Sequence, residues 1–138
     1  MHGWSYSVGL WHTLRRPEVC VFGLPGNVGP QVLSGLANRI RQGVVLHEGE
    51  RRSDVIVGFD VTIRPVTPDW YLAFFGAGVD FYQRPPMPMV QVCWPDKQGR
   101  FAWEADFDPN FRSHQPMLWL TRDKHPSDPW AKIDPYRD

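Results

Sequence analysis

Cysteine is nearly absent: 138 residues carry only Cys20 and Cys93. Each lies inside an apolar run, where a free thiol packs as a small hydrophobe, so neither a disulfide between them nor a nucleophilic thiol is expected. Net charge is absent as well. Fifteen basic residues balance fifteen acidic ones, which leaves no global field to draw the chain to nucleic acid or to an anionic lipid surface. No apolar run approaches the roughly 18 residues of a membrane-spanning helix. No succession of basic, apolar and small residues at the start reads as a signal peptide. The expectation is therefore a cytoplasmic protein with no membrane and no nucleic-acid partner. No two histidines have metal-ligand spacing on a regular element, no nucleophile sits beside a base, and βαβ units do not alternate. Neither a metal nor a cofactor is expected.

What is abundant is aromatic and proline. Seven Trp, four Tyr and eight Phe make up 14% of the chain, and such side chains each bury on the order of 150–250 Å². The core, or a pocket in it, is aromatic. Fourteen prolines, roughly twice ordinary usage, favour short strands and many turns over long helices. A chain of this length suits one domain that buries roughly two-thirds of its unfolded surface. Residues 1–120 read as a single α+β domain. Residues 121–138 read as a polar, proline-containing tail, pinned at most by Trp130 and Tyr136.

Alternation assigns the strands. Trp4, Tyr6, Val8 and Leu10 alternate with Ser5, Ser7 and Gly9, which predicts a strand over residues 4–10. Residues 18–24, EVCVFGL, are apolar on both faces and mark a central strand. Val55, Val57, Phe59, Val61 and Ile63 predict one long strand ending at Pro65. Val90, Val92 and Trp94 alternate with Gln91 and Cys93; residues 95–99, PDKQG, then turn the chain into a returning strand over 100–104. Residues 117–120 suit a last edge strand. Leu33, Leu36, Ala37 and Ile40 share one face between Pro30 and Gly43, predicting a helix over 30–42. Thr67, Pro68 and Asp69 open a second helix that Gly76 and Gly78 end, and residues 84–88, RPPMP, form a stiff linker. The sum is an antiparallel or mixed sheet of about five or six strands with two helices packed on one face.

Four pieces carry a family resemblance: SYSVGLWH at 5–12, RPEVCVFGLP at 16–25, the stretch through EGE to IRPV at 48–66, and QVCWPDKQGRFAWE at 91–104 with QPML at 115–118. Together they resemble a bacterial, largely actinobacterial, family catalogued as domain of unknown function 4262. The WPD and GRFAWE runs are its most specific part. The resemblance implies a compact stand-alone domain and carries over no activity and no residue roles. The family usually has more chain ahead of the first strand, so that strand is expected to be less covered here.

The most promising site on sequence is Trp94, Asp96, Arg100, Trp103 and Glu104. Two indoles beside a guanidinium and two carboxylates suit a planar or cationic ligand, held by stacking and charge-assisted hydrogen bonds. Tyr6 and Trp11 are further ligand-binding candidates. The plain alternative is that the tryptophans are core and that Asp96 and Arg100 are turn chemistry, Asp96 capping its own turn. His12, with Glu18 across a short turn to orient it, is a candidate general base, and Asp96 and Glu104 are candidate acids. Its plain alternative is a histidine satisfied by a backbone carbonyl.

Gly23, Gly26 and Gly29 precede the helix like a phosphate loop, but their spacing is not G-x-G-x-x-G and Pro30 removes an amide. His47, Glu48, Glu50 and Asp54 read as a solvated charged loop rather than metal ligands, and the arginine pairs at 15–16, 39–41 and 51–52 as solvated faces. Three functions follow. The first is a small binding module with an aromatic-lined pocket for a small molecule or partner. The second is a cofactor-independent enzyme tailoring a small metabolite, with His12 as base and Asp96 or Glu104 as acid. The third is a toxin-neutralising or phage-related interaction protein. Two sheet edges leave a homodimer open.

Overall fold

Five strands form one mixed sheet among the residues that the computed structural model describes, 3–83, 87–126 and 130. They are β1 (Trp4–Tyr6), β2 (Glu18–Phe22), β3 (Arg51–Ile56), β4 (Phe59–Pro65) and β5 (Met89–Cys93), in the order β1-β2-β5-β4-β3. β2 and β5 are parallel, with Glu18 opposite Met89 and Cys20 opposite Gln91; the other three pairs are antiparallel. Parallel neighbours need a crossover, and this one is long. It contains helix α2 (Val28–Arg41), the β3–β4 hairpin, and helices α3 (Tyr71–Phe74) and α4 (Gly76–Tyr82).

β2 shows why the sheet is covered on both sides. All five of its residues are buried. Val19 and Val21 pack with Leu36 and Ile40 of α2, Val61 and Ile63 of β4, and Val90, Val92 and Trp94. Cys20 and Phe22 point the other way, onto Trp70, Tyr71, Phe74, Phe75, Leu118 and Trp130. The α+β class and the mixed five-stranded sheet agree with the sequence pattern. The placement of both helices on one face does not: α2 covers one face, and α3 with α4 the other. A central strand apolar on both sides requires two covers.

The helix expected over 30–42 is α2, and Gly29 in its first turn packs on β1. A Cβ added there would lie 3.1 Å from the Ser5 hydroxyl oxygen, so this glycine serves packing. Five sequence assignments are corrected. The strand over 4–10 stops at Tyr6; the chain turns at Gly9 and residues 10–14 form helix α1 (Leu10–Leu14). The long strand ending at Pro65 is two strands joined at Val57 and Gly58, with Ile56 opposite Phe59 and Gly58 at φ 84°. Residues 100–104 form turns, not a returning strand, and residues 117–120 are likewise not a strand. The second helix begins with a 3₁₀ turn at Pro68–Trp70, and Gly76, expected to end it, opens α4.

Residues beyond 120 are partly docked: Trp130 is fully buried in the aromatic core, and its indole N–H donates to the Ser113 carbonyl at 3.0 Å. Tyr136 and residues 84–86 of the expected linker lie outside the described residues. Both sheet edges carry features that discourage pairing between copies. β1 has three residues, while β3 reads RRSDVI and shifts register between Arg52 and Ile56. No described helix is long and apolar enough to cross a membrane.

Cys20 and Cys93 are free and buried, and burial pushes both thiols above their ordinary pKa, with the neighbouring Cys93 adding to the rise at Cys20. The reactive form is the thiolate. Neither cysteine should therefore react with a chromogenic disulfide reagent in the native protein, and both should react once denaturant unfolds it. Rapid native labelling at either position would contradict this burial.

Candidate functional site

β5 runs through Trp94 and Pro95 into a turn that consumes the polar groups expected to meet a ligand. Asp96 is 1% exposed. One carboxylate oxygen accepts the backbone N–H groups of Gln98 and Arg100, each at 2.9 Å. The other accepts the Asp108 N–H at 2.9 Å and Nε–H of Arg100 at 3.3 Å. Burial alone would raise this carboxyl pKa, but the backbone donors at Arg100, Asp108 and Gln98, with the Arg100 charge, bring it below the usual range. Glu104 folds back to accept the Phe101 N–H at 2.7 Å. Arg100 is shared between Asp96 and Asp106. Asp96, Arg100 and Glu104 thus brace turns; the plain alternative names Asp96 and Arg100 in that role but not Glu104.

The two tryptophans separate. Trp94 is buried, its indole N–H donates to the Phe22 carbonyl at 2.6 Å, and Phe111 meets it edge-on. Trp103 lies half-buried, stacked on Phe101 at 4.8 Å and 7°. The Arg64 guanidinium sits 4.2 Å from the Trp103 ring centre and 4.9 Å from that of Trp119, while Arg51 covers Phe101 at 5.0 Å. The chain itself supplies the cation that these indoles would hold for a ligand.

The other candidates gather at the opposite end of the sheet. His12 projects from α1 into solvent, edge-on to Phe81 at 5.7 Å. Tyr6 accepts the Ala77 N–H through its hydroxyl and packs edge-on against Phe75; Trp11 lies under Arg15. Glu18 does not touch the imidazole. Its buried carboxylate accepts the Ser7 hydroxyl at 2.7 Å, the N–H groups of Gly9, Leu10 and Trp11 at 2.8, 3.2 and 3.2 Å, and the Tyr82 hydroxyl. Tyr82 in turn accepts the His12 backbone N–H at 3.0 Å. Burial first, and then the Glu18 carboxylate, raise the Tyr82 pKa. Glu18 pairs with Met89 at the start of β5, and Asp96 lies seven residues further on. At about 3.3 Å per residue the two ends are on the order of 20 Å apart. His12 and the acids Asp96 and Glu104 are not assembled into one site.

Metal-type side chains do not converge either. Glu50 and Asp54 hold Arg52, and Asp54 also holds Arg39. Among the described residues no three His, Cys, Asp or Glu are grouped to take a metal ion.

A feature that sequence reasoning missed is a cavity of about 330 Å³ beside residues 102–126. Two buried glutamines fix the segment on one side of it, and one of them, Gln115, lines it. The Gln91 amide donates to the Pro116 carbonyl at 2.9 Å and accepts the Leu118 N–H at 3.3 Å. Gln115 does the same to the backbone of Trp94, donating at 2.7 Å and accepting at 3.2 Å. Residues 115–118 are thereby fastened across the end of β5, and the cavity opens on their outer side. Ala102, Pro109, Met117 and Pro126 give it apolar walls.

The polar lining is Arg112, Ser113, Gln115 and His125. Asp108 accepts the Asn110 N–H and starts the 3₁₀ turn Pro109–Phe111 that delivers Arg112. The Arg112 guanidinium lies over Phe107 at 5.5 Å and reaches across to the Ala102 carbonyl at 3.4 Å. His125 accepts the Met117 N–H at Nε2, 2.9 Å, and faces the Pro126 carbonyl with Nδ1, 3.0 Å, so its proton belongs on Nδ1. The sequence signal for this region was slight: an Asp108-Pro109 cap and the Gln115-Pro116 pair in a stretch without period.

A family model described as a domain of unknown function, DUF4262, matches residues 1–108. No curated protein and no solved structure matches the chain. Of the residues lining the cavity, Ala102 lies inside the matched span and the others follow it.

Proposed function

The chain belongs to the DUF4262 family, and from that premise we propose that it works as a small binding module whose seat is the cavity beside Arg112 and His125. One observation carries the reading: a preformed space of about 330 Å³ combines apolar walls with a guanidinium, and among the described residues no carboxylate lies within ion-pair distance of Arg112. Small-molecule sites are of this size and make-up, mostly apolar with a few placed polar groups. The aromatic-lined pocket drawn from the sequence gives way to this cavity, because the tryptophans are spent on the core and on the Arg64 stack. An acid–base role for His12 has no such support, since its partners stand at the other end of the sheet. The setting we infer is the cytoplasm, in keeping with two buried thiols left unpaired.

The test is a fragment screen followed by NMR of the methionine methyl groups. Bound fragments are expected to move the Met117 methyl signal and the His125 ring signals in a saturable way. Hits that move only signals remote from these residues, or an absence of hits, would remove the reading.

A further inference from the structure

Resting on the reading of this cavity as a binding seat, we propose that its ligand is a small carboxylic acid, bound as the monoanion, with a compact apolar body. The lining offers the donors of the Arg112 guanidinium, and three of its acceptors are already engaged. Gln115 uses its side-chain oxygen on the Trp94 N–H, the Nε2 lone pair of His125 takes the Met117 N–H, and the Ala102 carbonyl takes Arg112. A cationic ligand entering here would lose water and meet a guanidinium of its own sign.

An oxyanion meets the opposite situation. Arg39, Arg52 and Arg100 are each tied to carboxylates of the chain, whereas the guanidinium of Arg112 rests on a ring and a long contact to a carbonyl. A guanidinium carries five N–H donors, so beyond the one given to the Ala102 carbonyl it keeps enough for a forked bond to two oxygens. The Ser113 hydroxyl stands beside it in the lining. Among the described residues Arg112 is the single arginine or lysine of that lining; it balances a carboxylate's one charge but not the dianion of a phosphate monoester. Met117, Pro109 and Pro126 then face the remainder of the ligand, which selects an apolar body small enough for about 330 Å³.

The experiment titrates the full chain with benzoate and cyclohexanecarboxylate, and with the neutral alcohols benzyl alcohol and cyclohexylmethanol, following the Met117 methyl. The acids are expected to bind about tenfold or more tightly than the alcohols, as a hydrogen bond to a charged group requires. The Arg112→Gln variant, altered at an exposed side chain, should melt like the parent and lose that preference. Alcohols that bind as tightly as the acids, or a preference that survives in Arg112→Gln, would overturn the carboxylate class while leaving the cavity as a seat. No shift at Met117 with any of the four probes would overturn both.

Discussion

Replacing Glu18 with alanine is expected to lower stability by about 3–5 kcal/mol, because five hydrogen-bond donors lose their acceptor at once. The carboxylate is 0% exposed and accepts from five donors. Three of these are the N–H groups of Gly9, Leu10 and Trp11, where α1 begins and backbone donors have no partner within the helix. The other two are hydroxyls, from Ser7 just ahead of α1 and from Tyr82 at the end of α4. Alanine would leave all five without their acceptor, each a cost of about 1–3 kcal/mol where water cannot enter. Glutamine should recover little, because its amide N–H₂ would face donors where an oxygen stood. With domains of this kind stable by only about 5–15 kcal/mol, urea unfolding should show Glu18→Ala close to its transition without denaturant. A loss below about 1 kcal/mol would mean that the five donors find water, and that Glu18 does not hold α1 and α4 to the sheet.

Gly23→Ala should be of comparable severity, at least about 3 kcal/mol, for a reason that lies in the space around it. Gly23 follows β2 with φ 80°, and a Cβ there would meet the His114 carbonyl oxygen at 2.0 Å and its carbon at 2.8 Å. The obstacle is backbone and cannot rotate away. Residue 114 belongs to the segment that leads into Gln115, so a shift there pulls on the same fastening that shapes the cavity. Gly43→Ala is the comparison: its φ is 108° and nothing lies within 4 Å of the added carbon. It should cost only the left-handed backbone penalty, about 1–2 kcal/mol. Equal losses for the two variants in urea unfolding would show that the approach of His114 to Gly23 does not decide the outcome.

Two predicted features of the fold were legible because their cause is local. Residues 19–22 are apolar at every position, which by itself demands a strand covered on both sides, and the spacing of Leu36 and Ile40 demands a helix over much of α2. The two-residue turn at Val57 and Gly58 was not legible, for a simple reason. A turn of two residues switches the face on which odd positions lie, since Ile56 stands opposite Phe59 and Arg52 opposite Val61. The alternation of Val55, Val57, Phe59 and Val61 along the chain therefore follows no single face and runs unbroken across a reversal that leaves Val57 98% exposed. The apparent strand over 4–10 failed differently. Glu18 lies beyond the local pattern, and its carboxylate captures three amides and bends residues 9–11 into α1.

The candidate site follows the same division. Sequence alone determined the class, the central strand, the main helix and the aromatic core, since hydrophobic period reports which side of an element is dry. It also held the plain alternative for Asp96 as a turn cap. Only the tertiary structure decided that Arg64 fills the place beside Trp103, that His12 stands apart from Asp96 and Glu104, and that side chains between 102 and 126 line an open cavity. The cavity depends on single polar contacts between separate segments, Gln91 with Pro116, Gln115 with Trp94 and His125 with Met117. One hydrogen bond between residues far apart in the chain leaves no period in either segment, so no pattern along the sequence announces it.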